Sequence, residues 1–424
     1  MIELTLYSLL FILVWVFFYR DVVPFHRGII LIFLTYIFEL FLFMKLFNGL
    51  GVGTAGNFDL ILSQILAILF TDGLIYVELS LVAYHFLGIR SFIAIFLIQS
   101  IFVIFCVLLS DRIYHTIFRP IKCLYIYGGD DNDVLNKLEK YQNSNFEIVK
   151  QVNEKDFNYD TAVQEINGFE QIILANTSQK INERIVRICY NEMKSVIIEP
   201  TIYDVIINKG SDIHLIDTPL LKVNHFGPTQ LEKPIKRIFD ILFSLTMIIL
   251  FSPIFLIVAL AVKLQDGGPV FYKQTRLTQY GKEFKIIKFR SMKINAEADG
   301  KAVLAKEGDS RITPVGRFIR KCRLDELPQF VNILIGDMSV VGPRPERPEI
   351  AKEIMKDLPE FRLRLMVKAG LTGYAQIYGK YNTTLHDKLL LDLQYIEDFS
   401  LILDIKLILM TLKIIFMKDS TEGI

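Results

Sequence analysis

The chain has 424 residues, 52% apolar and 22% charged, with a formal net charge of +1 and a mean hydropathy of +0.38. That length suits two or three domains. The composition argues against a wholly soluble enzyme, is neither that of a disordered chain nor of a secreted disulfide scaffold, and rules out a globally basic nucleic-acid binder. The charges are unevenly spread: ten (four basic, six acidic) fall in residues 1–110 and 83 in the other 314. A membrane-like N-terminal quarter therefore precedes a mostly water-facing remainder. Cys106, Cys123, Cys189 and Cys322 form no Cys-x-x-Cys pair and read as reduced thiols. The six histidines lack metal-ligand spacing and read as surface or packing residues.

Four apolar runs open the chain, at 4–18, 28–47, 60–81 and 92–110. Most approach the ~20 residues that cross a bilayer as helix. The first has no basic flank and no small-x-small site, which argues against a cleaved signal peptide. Four spanning helices, a transmembrane bundle over 1–118, are expected. Glu39, Asp72 and Glu78 lie within these runs and read as helix-packing or interfacial groups. Four spans put both ends on one side. Arg112, Arg119 and Lys122 point that side to the cytosol, while Arg20 and Arg27 in the first loop argue the reverse.

Residues 119–228 read as a Rossmann-like α/β domain. Strands are expected at 123–127, 146–152, 171–175 and 195–199, with helices between and a last strand at 212–217. Alternation at this spacing predicts a parallel sheet. Gly128-Gly129 follows the first strand, but the chain has no Gly-x-Gly-x-x-Gly there, and Asp130-Asp131 would repel a phosphate. A scaffolding role is expected for this domain rather than dinucleotide binding.

After a polar joint at 231–237, a fifth apolar run covers 241–262. Ser252-Pro253 interrupts it, and proline predicts a kink. Lys236-Arg237 and Lys263 flank it. A spanning and a re-entrant path are both compatible with these residues.

Residues 271–323 hold fourteen Lys/Arg against five Asp/Glu, a balance that suits anionic lipid heads or a diphosphate. Asp325-Glu326 follows. Leu327, Phe330, Val331 and Leu334 have the spacing of a buried helix face, with Asp325 at the expected N-cap, Pro328 in the first turn and Gly336 at the C-terminal stop. A helix start there would keep a carboxylate ionised. Such a group can attack phosphorus or hold Mg²⁺, although an ordinary acidic cap would look the same. Further on, Pro343 and Pro345 fix the backbone around Arg344, pre-positioning its guanidinium for a phosphate or a planar base.

Together these residues resemble the bacterial sugar transferase family, the monotopic polyprenyl-phosphate hexose-1-phosphate transferases. The likeness covers residues 236–416. It rests on Lys236-Arg237, Ser252-Pro253, Gly268-Pro269-Val-Phe, Lys288-Phe-Arg290-Ser-Met, Arg311-Ile-Thr-Pro-Val-Gly316-Arg317, Leu324-Asp325-Glu326-Leu-Pro-Gln329, Gly336-Asp-Met-Ser-Val-Val-Gly-Pro-Arg344-Pro and Ala369-Gly-Leu-Thr-Gly373. The spans and α/β unit resemble the family's large members. The resemblance implies a mostly α monotopic catalytic domain over 229–424, with a re-entrant membrane helix over 236–263 broken at Ser252 and Pro253. It implies transfer of hexose-1-phosphate from a UDP-sugar, with glucose or galactose favoured, to undecaprenyl phosphate. Asp325 would be the nucleophile, forming an aspartyl-phosphosugar intermediate and releasing UMP, with Glu326 assisting. Lys288, Arg290, Arg311, Arg317, Gln329 and Arg344 are the candidate substrate-binding residues. Mg²⁺ is the implied cofactor, with Asp325 as a ligand. The implied location is the bacterial inner membrane, multi-pass, with the site facing the cytosol, in contact with membrane lipids and without a nucleic-acid partner. The membrane and α/β portions offer surface for a homodimer. Two rivals stand beside this reading. A sugar-nucleotide dehydratase or epimerase would need a glycine-rich loop and a Tyr-x-x-x-Lys pair, which the C-terminal region lacks. A catalytically silent scaffold of a polysaccharide export complex would not depend on Asp325.

Overall fold

The computed structural model describes residues 2–19, 26–129, 133–140, 145–157, 162–215, 217–223, 227–294, 309–380 and 383–417. Asp130-Asp131, Arg20 and residues 295–308 of the basic stretch lie outside them. By its contacts the chain falls into two compact units, Met1–Pro200 and Thr201–Ile424.

The first unit begins with α1 (Ile2–Tyr19), α2 (His26–Leu46), α3 (Asn57–Ala83) and α4 (Ile89–Ile117). Helix is the outcome expected of long proline-free apolar runs, since a chain in hydrocarbon must satisfy its backbone internally. α3 packs on α2 and α4, and α1 packs on α2 and α4. Among the described residues, α3 and α4 are long and apolar enough to cross a membrane, and α1 offers a shorter apolar stretch, Glu3–Trp15. Polar side chains join the helices. Tyr7 donates to Gln64 at 2.6 Å and Gln64 to Glu3 at 2.7 Å. With its amide turned to satisfy both neighbours, Gln99 accepts from Tyr36 (2.7 Å) and donates to Asp72 (2.6 Å). Asp72 is thus buried in a helix contact.

The rest of this unit alternates β1 (Ile121–Tyr127), α5 (Asp133–Lys140), β2 (Phe146–Asn153), α6 (Ala162–Asn167), β3 (Gln171–Ala175), α7 (Gln179–Asn191) and β4 (Ser195–Ile198). The four strands form a parallel sheet in the order β2-β1-β3-β4. Strand side chains alternate between faces. Leu124, Ile126, Ile172 and Leu174 pack with Ile185 and Cys189 on one face. Cys123, Tyr125, Ile173 and Ala175 pack with Leu135 on the other. Burial on both faces is why these strands read as apolar runs.

The second unit starts with α8 (Ile202–Ile207), closed by a Thr201–Asp204 capping box. β5 (Ser211–Leu215) and β6 (Thr218–Lys222) then pair as an antiparallel hairpin. The 212–217 segment is therefore not a last strand of the parallel sheet. Every residue of β5 is exposed, so its best partner is the next segment rather than a buried sheet edge.

α9 (Glu232–Leu250) and α10 (Ser252–Asp266) follow, bent by 63° at the break. Ser252 Oγ bonds back to the Ile249 carbonyl at 2.8 Å, and Pro253 sits in the tolerated first turn of α10. Both ends of this pair are fixed to the second unit. At the start of α9, Lys236 Nζ donates to Asp404 at 2.6 Å and Arg237 donates to the carbonyls of Ile333 and Leu334 at 2.6 and 2.7 Å. Asp240 accepts from Ser339 Oγ and the Val340 N–H, both at 3.0 Å. At the end of α10, Asp266 pairs with Arg290, and Val258 and Val262 pack on Phe289 and Ile319.

A hairpin of β7 (Phe271–Leu277) and β8 (Glu283–Phe289) leads to α11 (Pro314–Lys321) and α12 (Gln329–Ile335). Then come β9 (Ser339–Val341), α13 (Pro348–Asp357), β10 (Gly370–Thr372) parallel to β9, α14 (Tyr374–Ile377), α15 (Leu385–Glu397) and α16 (Leu401–Ile415). Ile286, Phe330, Ile333, Val340, Leu389 and Leu393 belong to the core. The charges that interrupt α16 are buried, with Asp404 at 0% and Lys413 at 2% exposure. Asp404 accepts from Lys236 and from Tyr395 Oη at 2.9 Å. α16 is therefore a helix packed into the unit, with Ile402 and Phe416 on its exposed side.

Candidate active site

α11 ends at Cys322, and Arg323 takes a left-handed conformation (φ 54°). That reversal starts a 3-10 turn over Leu324–Glu326, closed by bonds from Glu326 N–H to Arg323 O and from Leu327 N–H to Leu324 O, both 3.3 Å. α12 begins only at Gln329, after Pro328. The expected N-cap position of Asp325 is not what forms. Leu324 and Leu327 pack against the α10 cluster, which holds the dyad in a separate tight turn. Lys288 and Arg344 supply the positive charge that faces Glu326.

The two carboxylates have different surroundings. Glu326 Oε1 accepts from Lys288 Nζ at 2.9 Å and faces Arg344 Nη2 at 3.4 Å. Burial raises its pKa, but the charges of Lys288, Arg344 and Arg323 outweigh burial and hold it well below the ordinary glutamate range. Among the described residues Asp325 has no side-chain hydrogen bond or ion pair. Burial, then the Glu326 charge, raises its pKa to about 6, with Lys288, Arg320 and Arg344 opposing. Asp325 is the less firmly ionised member, the reverse of what a helix start would give. The arrangement presents one locked carboxylate beside one, without a side-chain partner among the described residues, whose pKa burial and the Glu326 charge raise to about 6.

Arg344 is held from behind. Arg364 Nη2 donates to the Arg344 carbonyl at 2.8 Å, and Arg276 Nη1 to the Pro345 carbonyl at 3.1 Å. Arg364 in turn pairs with Asp392 at 2.8 Å, their side chains 6% and 3% exposed. Burial raises the Asp392 pKa to about 6 against the pull of Arg364. Sequence reasoning missed Arg276, Arg364 and Asp392. They lie far along the chain from Arg344, and no local spacing marks them.

Of the expected substrate-binding residues, the structure brings Lys288 and Arg344 to the dyad. Arg290 is engaged elsewhere. It is buried, pairs with Asp266 and lies against Gly268, where a Cβ would stand 2.0 Å from Arg290 Nη1. It ties the end of α10 to the end of β8. Arg311 is held by Asp309 through contacts of 2.6–3.0 Å. Arg317 is exposed on α11. Gln329 is 2% exposed, and its Nε2 has no hydrogen-bond partner.

Among the described residues no group of three or more His, Cys, Asp or Glu is placed to hold a metal. The donor set fits a divalent ion that takes one carboxylate from the protein and its other ligands from substrate phosphates and water, the habit of Mg²⁺. Among the described residues Asp325 is the dyad carboxylate that no side chain already binds.

The α/β unit has its own crevice, at the C-terminal ends of β1 and β3, where the strand order reverses. Two of its described main-chain donors are occupied. Glu199 accepts from the Asn176 N–H at 2.8 Å and Glu154 from the Ser178 N–H at 3.0 Å, at the start of α7.

Residues 231–418 match the family model described as bacterial sugar transferase. The chain is 42% identical over 209 residues to the UDP-N-acetylgalactosamine-undecaprenyl-phosphate N-acetylgalactosaminephosphotransferase of Aeromonas hydrophila, covering 47% of this chain and 49% of that protein. It is 41% identical over 204 residues to the UDP-glucose:undecaprenyl-phosphate glucose-1-phosphate transferase of Escherichia coli K12, covering 47% and 42%. The protein of the same description from Caulobacter vibrioides is 38% identical over 191 residues, covering 44% of this chain and 71% of the relative. The chain thus spans about half or less of the first two relatives and 71% of the third.

Proposed function

The chain belongs to the bacterial sugar transferase family, and on that premise we propose that it transfers hexose-1-phosphate from a UDP-sugar to undecaprenyl phosphate. The observation that carries the mechanism is the asymmetry of the dyad. Among the described residues Asp325 has no side-chain partner, while Glu326 is fixed by Lys288 and Arg344. The Asp325 carboxylate attacks the sugar-bearing phosphorus. The bond from that phosphorus to the bridging oxygen breaks, and UMP leaves with the electron pair. The lipid phosphate then attacks the aspartyl-phosphosugar, restoring the carboxylate and yielding the lipid-linked sugar diphosphate. Phosphoryl transfer needs positioning and charge neutralisation above all. Arg344, on a backbone held by Arg364 and Arg276, supplies both to a diphosphate. Mg²⁺, with Asp325 as a ligand, would neutralise the diphosphate charge. Glucose or galactose is the sugar we favour.

We place the site at the cytosolic face of the bacterial inner membrane, in a multi-pass protein with α9 and α10 as a re-entrant pair. The 63° bend supports this path. So does the fixing of the start of α9 and the end of α10 to one folded unit. Cysteines at Lys233 and Gln265 should be labelled from the same side. Labelling from opposite sides would make the pair a span.

The covalent step is tested with purified protein, labelled UDP-sugar and no lipid. Label should remain on the protein, UMP should appear in equal amount, and undecaprenyl phosphate should discharge the adduct. Sequential kinetics without an adduct would defeat the mechanism. Unchanged glycan output from cells carrying Asp325→Asn would favour a silent scaffold.

A further inference from the structure

The second unit holds a cavity of about 720 Å³, a volume suited to a small ligand. It lies at the Gly336 end of α12, whereas the dyad precedes the other end. None of Asp325, Glu326, Lys288 and Arg344 lines it, so the cavity is distinct from the dyad.

Its charge is mostly positive. Lys233, Lys236 and Arg237 line it from the first turns of α9, and Lys368 from the segment before β10. Asp240 also lines it, but its Oδ1 accepts from Ser339 and Val340. Two of the cations have partners. Lys236 is paired with Asp404, and Arg237 caps the carbonyls at the end of α12.

Lys368 differs from both. It is half-buried, and among the described residues it makes no hydrogen bond or ion pair. Its Nζ lies on the same open side of Gly336 as the Arg237 guanidinium: a Cβ there would stand 3.7 Å from Lys368 Nζ and 3.4 Å from Arg237 Nη2. Gly336 itself needs no Cβ, being left-handed at φ 105°. Burial lowers the Lys368 pKa, Arg237 and Lys282 push it the same way, and Asp240 and Asp337 oppose them. A half-buried ammonium beside a guanidinium carries a desolvation and repulsion cost that a bound anion would relieve. Val341, Met366 and Phe399 supply apolar wall. Ile235, Ile238 and Leu242, also exposed, lie on the other face of α9.

We propose that this cavity is a second anion site, separate from the dyad, that takes a phosphate group with Lys368 as its unpartnered donor and Arg237 as the adjoining positive wall. The phosphate could come from an anionic phospholipid or from solution, and two probes separate these sources. The protein in neutral detergent is titrated with inorganic phosphate by calorimetry. It is also examined by native mass spectrometry with short-chain phosphatidylglycerol, using phosphatidylcholine as control. Lys368→Met should weaken one of the two probes at least tenfold, and Lys368→Arg should restore it. Loss in the phosphate titration assigns a soluble ligand, and loss of phosphatidylglycerol assigns a lipid head group. Arg344→Met should remove phosphate bound at the dyad, and its effect should add to that of Lys368→Met, as for independent sites. Failure of the proposed reaction would therefore leave this result standing. If Lys368→Met does not fold, Lys233→Met at the exposed rim should weaken the same probe several-fold. The proposal is overturned if neither probe binds the native protein. It is also overturned if the Lys368→Met protein loses melting temperature while both probes bind as before, which would make Lys368 only a brace for the end of α12.

Discussion

The dyad turn and the crevice of the α/β unit use the same kind of residue to opposite ends. Each sets two acidic side chains beside a chain reversal. In the crevice, Glu154 and Glu199 each accept a main-chain N–H, so two amides at the start of α7 are bonded to the protein's own carboxylates. At the dyad, Lys288 and Arg344 converge on Glu326 and leave Asp325 without a partner. A pair of acids in a cleft does not by itself make a reactive site. What matters is whether the surrounding donors fill both acids or only one. Both crevice carboxylates are bonded, whereas among the described residues the dyad leaves one without a partner.

That contrast can be broken experimentally. The largest effect is expected for Asp325→Asn, which removes the partner-free carboxylate. UMP release should fall on the order of 10⁴-fold or more, as for loss of a nucleophile, while membrane insertion is unchanged. A residual rate near that of the native protein would place the nucleophile elsewhere. Glu326→Gln should cost roughly 10²-fold, the low end for a positioned acid–base group, and should also move the pH profile. In the native protein, burial and Glu326 raise the Asp325 pKa to about 6. A raised pKa keeps the carboxyl protonated, and so non-nucleophilic, to a higher pH. kcat/KM should therefore rise with pH, reach half its plateau near 6 and stay flat above. With the Glu326 charge gone the midpoint should fall below 6. A native profile flat down to pH 5 would show that Asp325 does not titrate there.

Arg344→Lys should lower kcat/KM for the UDP-sugar about ten- to a hundredfold, because an ammonium cannot copy the planar fork. Its melting temperature should hold, since Arg364 bonds the main-chain carbonyl of residue 344 and not its side chain. A fall in melting temperature with kcat/KM unchanged would reduce Arg344 to a turn brace. The smallest effect belongs to the crevice. Glu199→Gln replaces a charged acceptor in a solvent-exposed hydrogen bond, worth less than about 1 kcal/mol. It should leave turnover unchanged and lower the melting temperature by about a degree or two. Measurable nucleotide binding by this unit, before or after the change, would end the contrast.

The sequence alone was enough to place the apolar N-terminal quarter, the parallel-sheet strands, the break at Ser252-Pro253 and the adjacent acids Asp325 and Glu326. Each is a local signal: a run length, an alternation, a proline, an adjacent pair of acids within a recognisable string. The fates of individual charges were not legible. Lys236-Arg237 read as membrane-facing flanks, yet one pairs with Asp404 and the other caps α12. Arg290 and Arg311 pair with Asp266 and Asp309, partners that no spacing showed. Asp325 read as a helix cap kept ionised by the dipole, whereas it sits in a tight turn where burial and the Glu326 charge raise its pKa. The physical reason is common to all of these. A side chain's hydrogen-bond partner is chosen by proximity in space, and Lys236 finds Asp404 168 residues away. Periodicity and propensity act over a few residues, so they fix helices, strands and breaks. Which carboxylate is neutralised, and which is left free to react, was decided only when distant segments packed together.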